Sequence, residues 1–168
     1  MKTIIDLFFF FLRKYPDLPY LWEKTNGAFK PTSYSQTKEL VRSFAAGLIA
    51  IGVEKEDKVA ILAEGCNAWM ISELGIFYAA AVDVPLSIKL EEASDLMFRL
   101  EHSESRFIVV SGNQLPKIRK IVGNLPNVQK VIVAGTINDL AENEILWDDV
   151  KRLGDEFLSD AANCELLN

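Results

Sequence analysis

The residues able to do chemistry are few. The chain has one histidine, His102, and two cysteines, Cys66 and Cys164. A catalytic histidine needs a nucleophile or an orienting carboxylate as partner. His102 stands beside Glu101 and Ser103 near the end of a helical stretch, where the helix dipole favours a cationic side chain, so it reads as structural. With no second histidine, no multi-histidine metal centre can form. Cys66 lies near a helix start, a place that lowers a thiol pKa. No base stands close to it in sequence, and it reads as a packed or idle thiol. Two cysteines so far apart make neither a disulfide framework nor a metal motif. They point to a reduced, cytoplasmic protein.

Phosphate chemistry is equally sparse. The loop Ala63-Glu64-Gly65-Cys66-Asn67 follows a buried apolar run. A dinucleotide-binding turn requires three glycines at fixed spacing, and a Walker-type loop requires two glycines with Lys and Ser or Thr. Only Gly65 is present. Glu64 lacks the second acid of a phosphate-accepting receiver site and reads as a solvated turn residue, with contact to a ligand's polar group as the alternative. Trp69, Phe77 and Tyr78 could stack a ligand base, but their helical spacing assigns them to the core. Lys117, Arg119 and Lys120 form the one dense basic cluster and read as a solvated helix face.

The elements that must position these residues follow from periodicity. Residues 3–14 read as a helix ended by Tyr15-Pro16. Two short runs flank Asn26-Gly27, a hairpin signal. Leu40, Val41, Phe44, Leu48 and Ile51 recur at three- and four-residue spacing, giving a helix from about Gln36 to Ile51. Ser33 and Ser35 are rival N-caps for it, and Gly52 takes the C-terminal cap position. Apolar runs at 59–63, 82–86, 107–110 and 128–133 alternate with helical stretches at 68–81, 91–102 and 115–122, with Asn67 as an N-cap. The run at 128–133 reads as the last strand. Residues 147–158 form one more helix, with Trp147, Val150, Leu153 and Phe157 on one face. Strands that are apolar throughout and separated by helices are buried on both faces of a parallel sheet. The expected fold is α/β: a doubly wound, largely parallel sheet with helices on both faces, an N-terminal helix and a hairpin at the sheet edge.

Composition bounds the partners. Of 168 residues, 49% are apolar and 25% charged, and the net charge is -6. That is an ordinary globular balance, and an acidic chain is a poor nucleic-acid binder. The opening run Ile4 to Leu12 is interrupted by Asp6 and followed by Arg13-Lys14-Tyr15-Pro16, without a small-residue cleavage site. It falls well short of the roughly 20 residues that span a bilayer. It reads as an amphipathic helix docking on the domain, with a membrane-touching helix as the alternative.

Four segments carry a resemblance. Ser33-Tyr34-Ser35-Gln36-Thr37-Lys38-Glu39-Leu40 resembles the first signature of adenylate-forming enzymes, with a lengthened spacer. Gly52-Val53-Glu54-Lys55-Glu56-Asp57-Lys58-Val59-Ala60-Ile61 resembles the family's Gly-Val-x-x-Gly-Asp-x-Val-Ala-Ile, with Glu56 in place of glycine. Asn67-Ala68-Trp69 is similar to a shortened Asn-x-x-x-Trp stretch. Phe77-Tyr78-Ala79-Ala80-Ala81-Val82-Asp83-Val84-Pro85-Leu86 resembles the second signature, with Ala80 where glycine is usual. The order and spacing of these pieces identify the N-terminal subdomain of an AMP-forming acyl-CoA synthetase. Val-Asp-Val-Pro-Leu, the opening helix and Tyr15-Pro16-Asp17 look most like the long-chain fatty acid–CoA ligases.

The resemblance implies a two-step reaction in the full-length enzyme. A fatty acid carboxylate attacks the α-phosphate of ATP, giving an acyl-adenylate and pyrophosphate, and the coenzyme A thiol then displaces AMP, with Mg2+ assisting. The family's Ser/Thr/Gly-rich phosphate loop ending in Pro-Lys-Gly has no counterpart in these 168 residues. No catalytic, cofactor-binding or metal-binding residue carries over. Residues 1–158 are expected to form one truncated subdomain, and 159–168 a connector toward the phosphate loop. This chain is expected to be inactive alone, to bind no ATP, coenzyme A or Mg2+, and to self-associate through uncovered apolar surface. The alternative is a non-catalytic α/β binding or interaction domain that keeps only the ligase scaffold. A flavodoxin-like ligand domain would need phosphate-cradling loops that are not present.

Overall fold

The protein is described by a computed structural model covering residues 3–164. Helix α1 (Ile4–Lys14) starts in a capping box: the Asp6 N–H donates to Thr3 Oγ1, and the Thr3 N–H donates to the Asp6 carboxylate. Strands β1 (Pro19–Thr25) and β2 (Ala28–Ser33) form an antiparallel hairpin around Asn26-Gly27, both at positive φ. This is the backbone that an Asn-Gly turn supplies at least cost. The hairpin is a separate two-stranded sheet, not an extension of the main one. The expected edge placement is corrected to a packing position: Tyr20 and Leu21 dock on the core beside α2 and α3. The outer strand of the main sheet ends in Pro85, which has no N–H to offer a further neighbour.

Helix α2 (Tyr34–Ala50) settles the N-cap rivalry in favour of Ser33, whose hydroxyl accepts from the Gln36 N–H while Gln36 reaches back to the Ser33 N–H. The main sheet follows: β3 (Lys58–Leu62), α3 (Asn67–Tyr78), β4 (Val82–Pro85), α4 (Ala93–His102), β5 (Phe107–Ser111), α5 (Leu115–Arg119) and β6 (Lys130–Ala134). Two elements were not expected. A fifth strand, β7 (Glu144–Leu146), extends the sheet, so 128–133 is not the last strand. A short helix α7 (Ala161–Cys164) lies within the stretch expected to be a connector. Helix α6 (Trp147–Leu158) has the expected bounds. All five strands are parallel, in the order β4-β3-β5-β6-β7. The expected doubly wound α/β fold is the observed one.

Alternation along each strand divides the core between the two sheet faces. Val59, Ile61, Phe107, Val109 and Ile132 point to one face, under α2, α3 and α6. Ala60, Leu62, Ile108, Val110, Val131 and Val133 point to the other, under α4 and α5. The first face is closed by α6 lying on α2. A Cβ on Gly154 would sit 1.8 Å from the Ser43 carbonyl oxygen, and one on Gly47 1.9 Å from that of Val150. The two backbones therefore touch, and no larger residue fits. Trp147 stacks on Phe44 at 5.3 Å and donates from Nε1 to the buried Ser72 hydroxyl at 2.8 Å.

Three helices end in the same motif. After α2, Val53 N–H donates to Leu48 and Gly52 N–H to Ile49. After α3, Ala81 donates to Ile76 and Ala80 to Phe77. After α4, Ser105 donates to Leu100 and Glu104 to Glu101. These paired bonds place one residue in the left-handed region. Gly52 (φ 98°) suits it, whereas Ala80 (58°) and Glu104 (56°) do not. Glu56, in the turn before β3, is left-handed as well (69°), and its N–H donates to the Ala80 carbonyl at 2.8 Å. Glu56 and Ala80 are the two positions where this chain replaces a glycine of the signatures it resembles. Backbone conformation explains both preferences.

The short strand β7 is held by charge. Glu144 is buried, and its carboxylate accepts from Arg119 Nε and Nη2 at 2.8 and 2.7 Å and from the Ala141 N–H at 2.9 Å. Arg119 holds that carboxyl below its usual range against the opposing effect of burial. Lys117 Nζ donates to the Ile88 and Leu90 carbonyls at 2.8 and 3.1 Å and pairs with Glu91. Two members of the expected solvated basic face are thus structural ties, a correction that sequence spacing alone could not supply.

Three outcomes are expected from this packing. Gly154→Ala should lower stability by at least about 1–3 kcal/mol through overpacking, read from thermal unfolding. Glu56→Gly and Ala80→Gly should each raise stability by about 0.5–1 kcal/mol, the left-handed penalty less glycine's entropic cost, read from urea midpoints. Asp83 on β4 has its pKa pushed up to about 7, first by burial and then by the charge of Glu73, and its Oδ1 is buried without a partner. A raised carboxyl pKa gives stability that is whole below the unfolded value near 4 and is lost as pH rises through 7. Asp83→Asn should flatten that decline between pH 4 and 7 in a series of urea melts, and an unchanged slope would refute the assignment.

Candidate functional site

In an open parallel sheet the ligand crevice opens where strand order reverses, at the carboxyl ends of the diverging strands. Here α3 carries the chain from β3 outward to β4 across one face, and α4 returns it to β5 on the other side of β3. The crevice therefore lies between the ends of β3 and β5.

Four polar residues stand there. Glu64 follows β3, while Ser111 ends β5 and is followed by Asn113 and Gln114. Gln114 Nε2 donates to Glu64 Oε1 at 2.7 Å. The nearby Ser111 hydroxyl first, and the Gln114 amide next, hold the Glu64 carboxyl below its usual range, against a weaker effect of burial; Gln114 makes the direct hydrogen bond, and the Ser111 Oγ is buried without a hydrogen-bond partner. Donation by Nε2 turns the other end of the Gln114 amide away, and its Oε1 is buried without a partner. The cluster thus presents an ionised carboxylate, an unmatched amide oxygen on Gln114 and an unmatched hydroxyl on Ser111, and it contains no cationic side chain. That donor set does not fit a triphosphate, which needs backbone N–H groups, Lys or Arg around it. Among the described residues no group of three or more His, Cys, Asp or Glu is placed to hold a metal ion.

Among the described residues the structure brings Glu64 of the sequence candidates to this crevice, and there it is a partnered residue, not a solvated one. Cys66 is exposed at the N-cap of α3; Asn67, expected as the cap, is instead the first helical residue. Its N–H reaches Glu23 Oε1 at 3.4 Å across to the hairpin. His102 is exposed in the last turn of α4, stacked on Phe98 at 5.5 Å. Trp69 is half-buried against the core. Phe77 and Tyr78 lie at the opposite end of the sheet, where with Ile4, Ile5, Ala80 and Ala81 they line an apolar cavity of about 460 Å³. The nearest signal for Ser111, Asn113 and Gln114 was their position just past a buried strand, which is where such a sheet exposes side chains to a ligand.

Comparisons with known proteins place the chain in a family. The model of the AMP-binding enzyme family matches residues 8–162. The long-chain-fatty-acid–CoA ligase heimdall of Drosophila melanogaster is 30% identical over 99% of this chain and 25% of its own length. Long chain acyl-CoA synthetase 8 of Arabidopsis thaliana is 27% identical over 84% of this chain and 19% of its own length. The chain thus spans about a quarter or less of these curated relatives. Among solved structures, the anthranilate CoA ligase AuaEII superposes with a TM-score of 0.77 at 22% identity, over 88% of this chain and 27% of that one. The coronafacic acid ligase of Pectobacterium brasiliense gives 0.79 at 19%, over 88% and 29%. These structural likenesses establish the shared fold. With the family model covering nearly the whole chain, the protein belongs to the AMP-binding enzyme family.

Proposed function

We propose that these residues are the N-terminal scaffold of a ligase that activates a long-chain fatty acid with ATP, as acyl-adenylate, and transfers it to coenzyme A. The observation that carries the reading is the polar cluster at the switch point: it stands where a parallel sheet receives a ligand, yet Glu64, Ser111, Asn113 and Gln114 bring no cation to a triphosphate. The long-chain ligases among the relatives support the substrate class. In this reading residues 1–158 position the sheet, and the groups that hold ATP, Mg2+ and coenzyme A come from sequence outside these 168 residues. The adenylate-forming step is not carried by any side chain described above.

ATP–pyrophosphate exchange with a long-chain fatty acid tests this directly. The 168-residue chain should give no exchange above background, and a chain that includes a Ser/Thr/Gly-rich loop ending in Pro-Lys-Gly should give it. Exchange by the 168 residues unaided would refute the scaffold reading. Failure of the longer chain to exchange with any carboxylic acid would favour the non-catalytic binding domain instead.

A further inference from the structure

The short helix α5 reaches past its own strand. Gln114, at its N-cap, donates to Glu64 in the loop after β3. Lys117 stands one turn on, its N–H donating to the Gln114 carbonyl, so the two residues are neighbours on one side of the helix. The Lys117 side chain crosses to residues 86–92, the segment between β4 and α4. Its ammonium donates to the Ile88 carbonyl at 2.8 Å, to the Leu90 carbonyl at 3.1 Å and to the Glu91 carboxylate at 2.8 Å. These partners use all three donors of an ammonium. The strand order is β4-β3-β5, so the ties from α5 to the exits of β3 and β4 pass over the carboxyl end of β3. Helix α5 is anchored, with Leu115 and Ile118 buried on the second face of the sheet. Segment 86–92 is held less firmly. The Leu86 N–H donates to the Ile61 carbonyl, but beyond it the segment bonds to itself, Leu90 N–H to the Ser87 carbonyl and Lys89 N–H to the Ser87 hydroxyl. Ile88 and Leu90 rest half-buried on the core, while Ser87, Lys89, Glu91 and Glu92 are exposed.

The polar cluster beside these ties is shut and unfinished. The Ser111 hydroxyl and Gln114 Oε1 are buried without a partner. A buried polar atom left unmatched costs free energy that water or a ligand group returns once it can reach the atom. The shut arrangement carries that cost, and the three bonds of Lys117 oppose its release. Segments that admit ligands are drawn from the less stable parts of a fold, and residues 86–92 fit that description. We propose that residues 86–92 are a strap buckled across the switch point by Lys117, and that its release opens the Glu64–Ser111–Gln114 cluster to a ligand group that donates hydrogen bonds. Both halves of the buckle belong to this chain, so the strap is complete without any further segment. The inference rests on the fold and stands apart from the ligase reading.

Thiol labelling tests it. In the 168-residue chain carrying Cys66→Ser and Cys164→Ser, the substitution Ser111→Cys puts a single thiol at the closed cluster. Its labelling rate should stay flat as urea rises toward the unfolding transition, because a local opening exposes little surface. Lys117→Met keeps the stem of the side chain and removes the three bonds. It should speed labelling by about tenfold or more, the effect of losing charge-assisted hydrogen bonds, with the same flat urea dependence. Amide hydrogen exchange should quicken at residues 87–92 in that variant and stay unchanged in β5 and β6. The proposal is overturned if labelling before the Lys117 change climbs with urea at the full slope of global unfolding, since the cluster then opens only when the sheet does. It is overturned equally if Lys117→Met labels no faster. Should Lys117→Met fail to fold, the urea slope of the parent chain decides alone.

Discussion

The contact on which this fold depends is the backbone-to-backbone approach of α2 and α6. Gly47 and Gly154 bring the helices so close that each would-be methyl group falls on the other's carbonyl oxygen. Close approach places Trp147 over Phe44 and its indole N–H on Ser72, so one side chain links α6 to both α2 and α3. That link seals the first face of the sheet. It also decides the fate of β7. Three residues cannot hold a place in a sheet by ladder bonds alone, but β7 runs directly into α6, and docking of the helix delivers the strand to β6. The Arg119–Glu144 pair then pins it from the second face.

The legibility of this structure followed its physics. Strands buried on both sides are apolar throughout, so β3, β5 and β6 stood out as runs. α6 was visible because Trp147, Val150, Leu153 and Phe157 recur at helical period. β7 was hidden because its buried residue is a glutamate, satisfied by an arginine 25 positions earlier. The crevice was half hidden for the same reason: Glu64 finds its partner 50 residues away in Gln114, and no local pattern announces a pairing at that distance. Gly47 and Gly154 gave no signal either, since a glycine inside a helix reads as a weakness until the neighbouring backbone is in view. The two places where a signature glycine is replaced, Glu56 and Ala80, became intelligible only as left-handed residues joined by a hydrogen bond.

The molecule separates its polar and apolar openings. The crevice between β3 and β5 gathers polar side chains around an ionised carboxylate, at the carboxyl ends of the strands. The apolar cavity lies at the amino ends, between α1 and the exit of α3. A single α/β layer therefore keeps charge and hydrocarbon at opposite poles, with the sheet as the wall between them.

The pairing of α2 with α6 also has a consequence for how the chain is made. Ser43 and Asp155, which hydrogen-bond across that contact, are 112 residues apart. On a ribosome that emits the N-terminus first, α2 emerges with its groove open and stays bare while the whole sheet is synthesised. Phe44 and its neighbours wait in solvent for a partner helix made only after all five strands. Folding of this layer is thus gated by its last long helix, and the interval before that helix arrives is when the nascent chain is most open to chaperones and to misassociation.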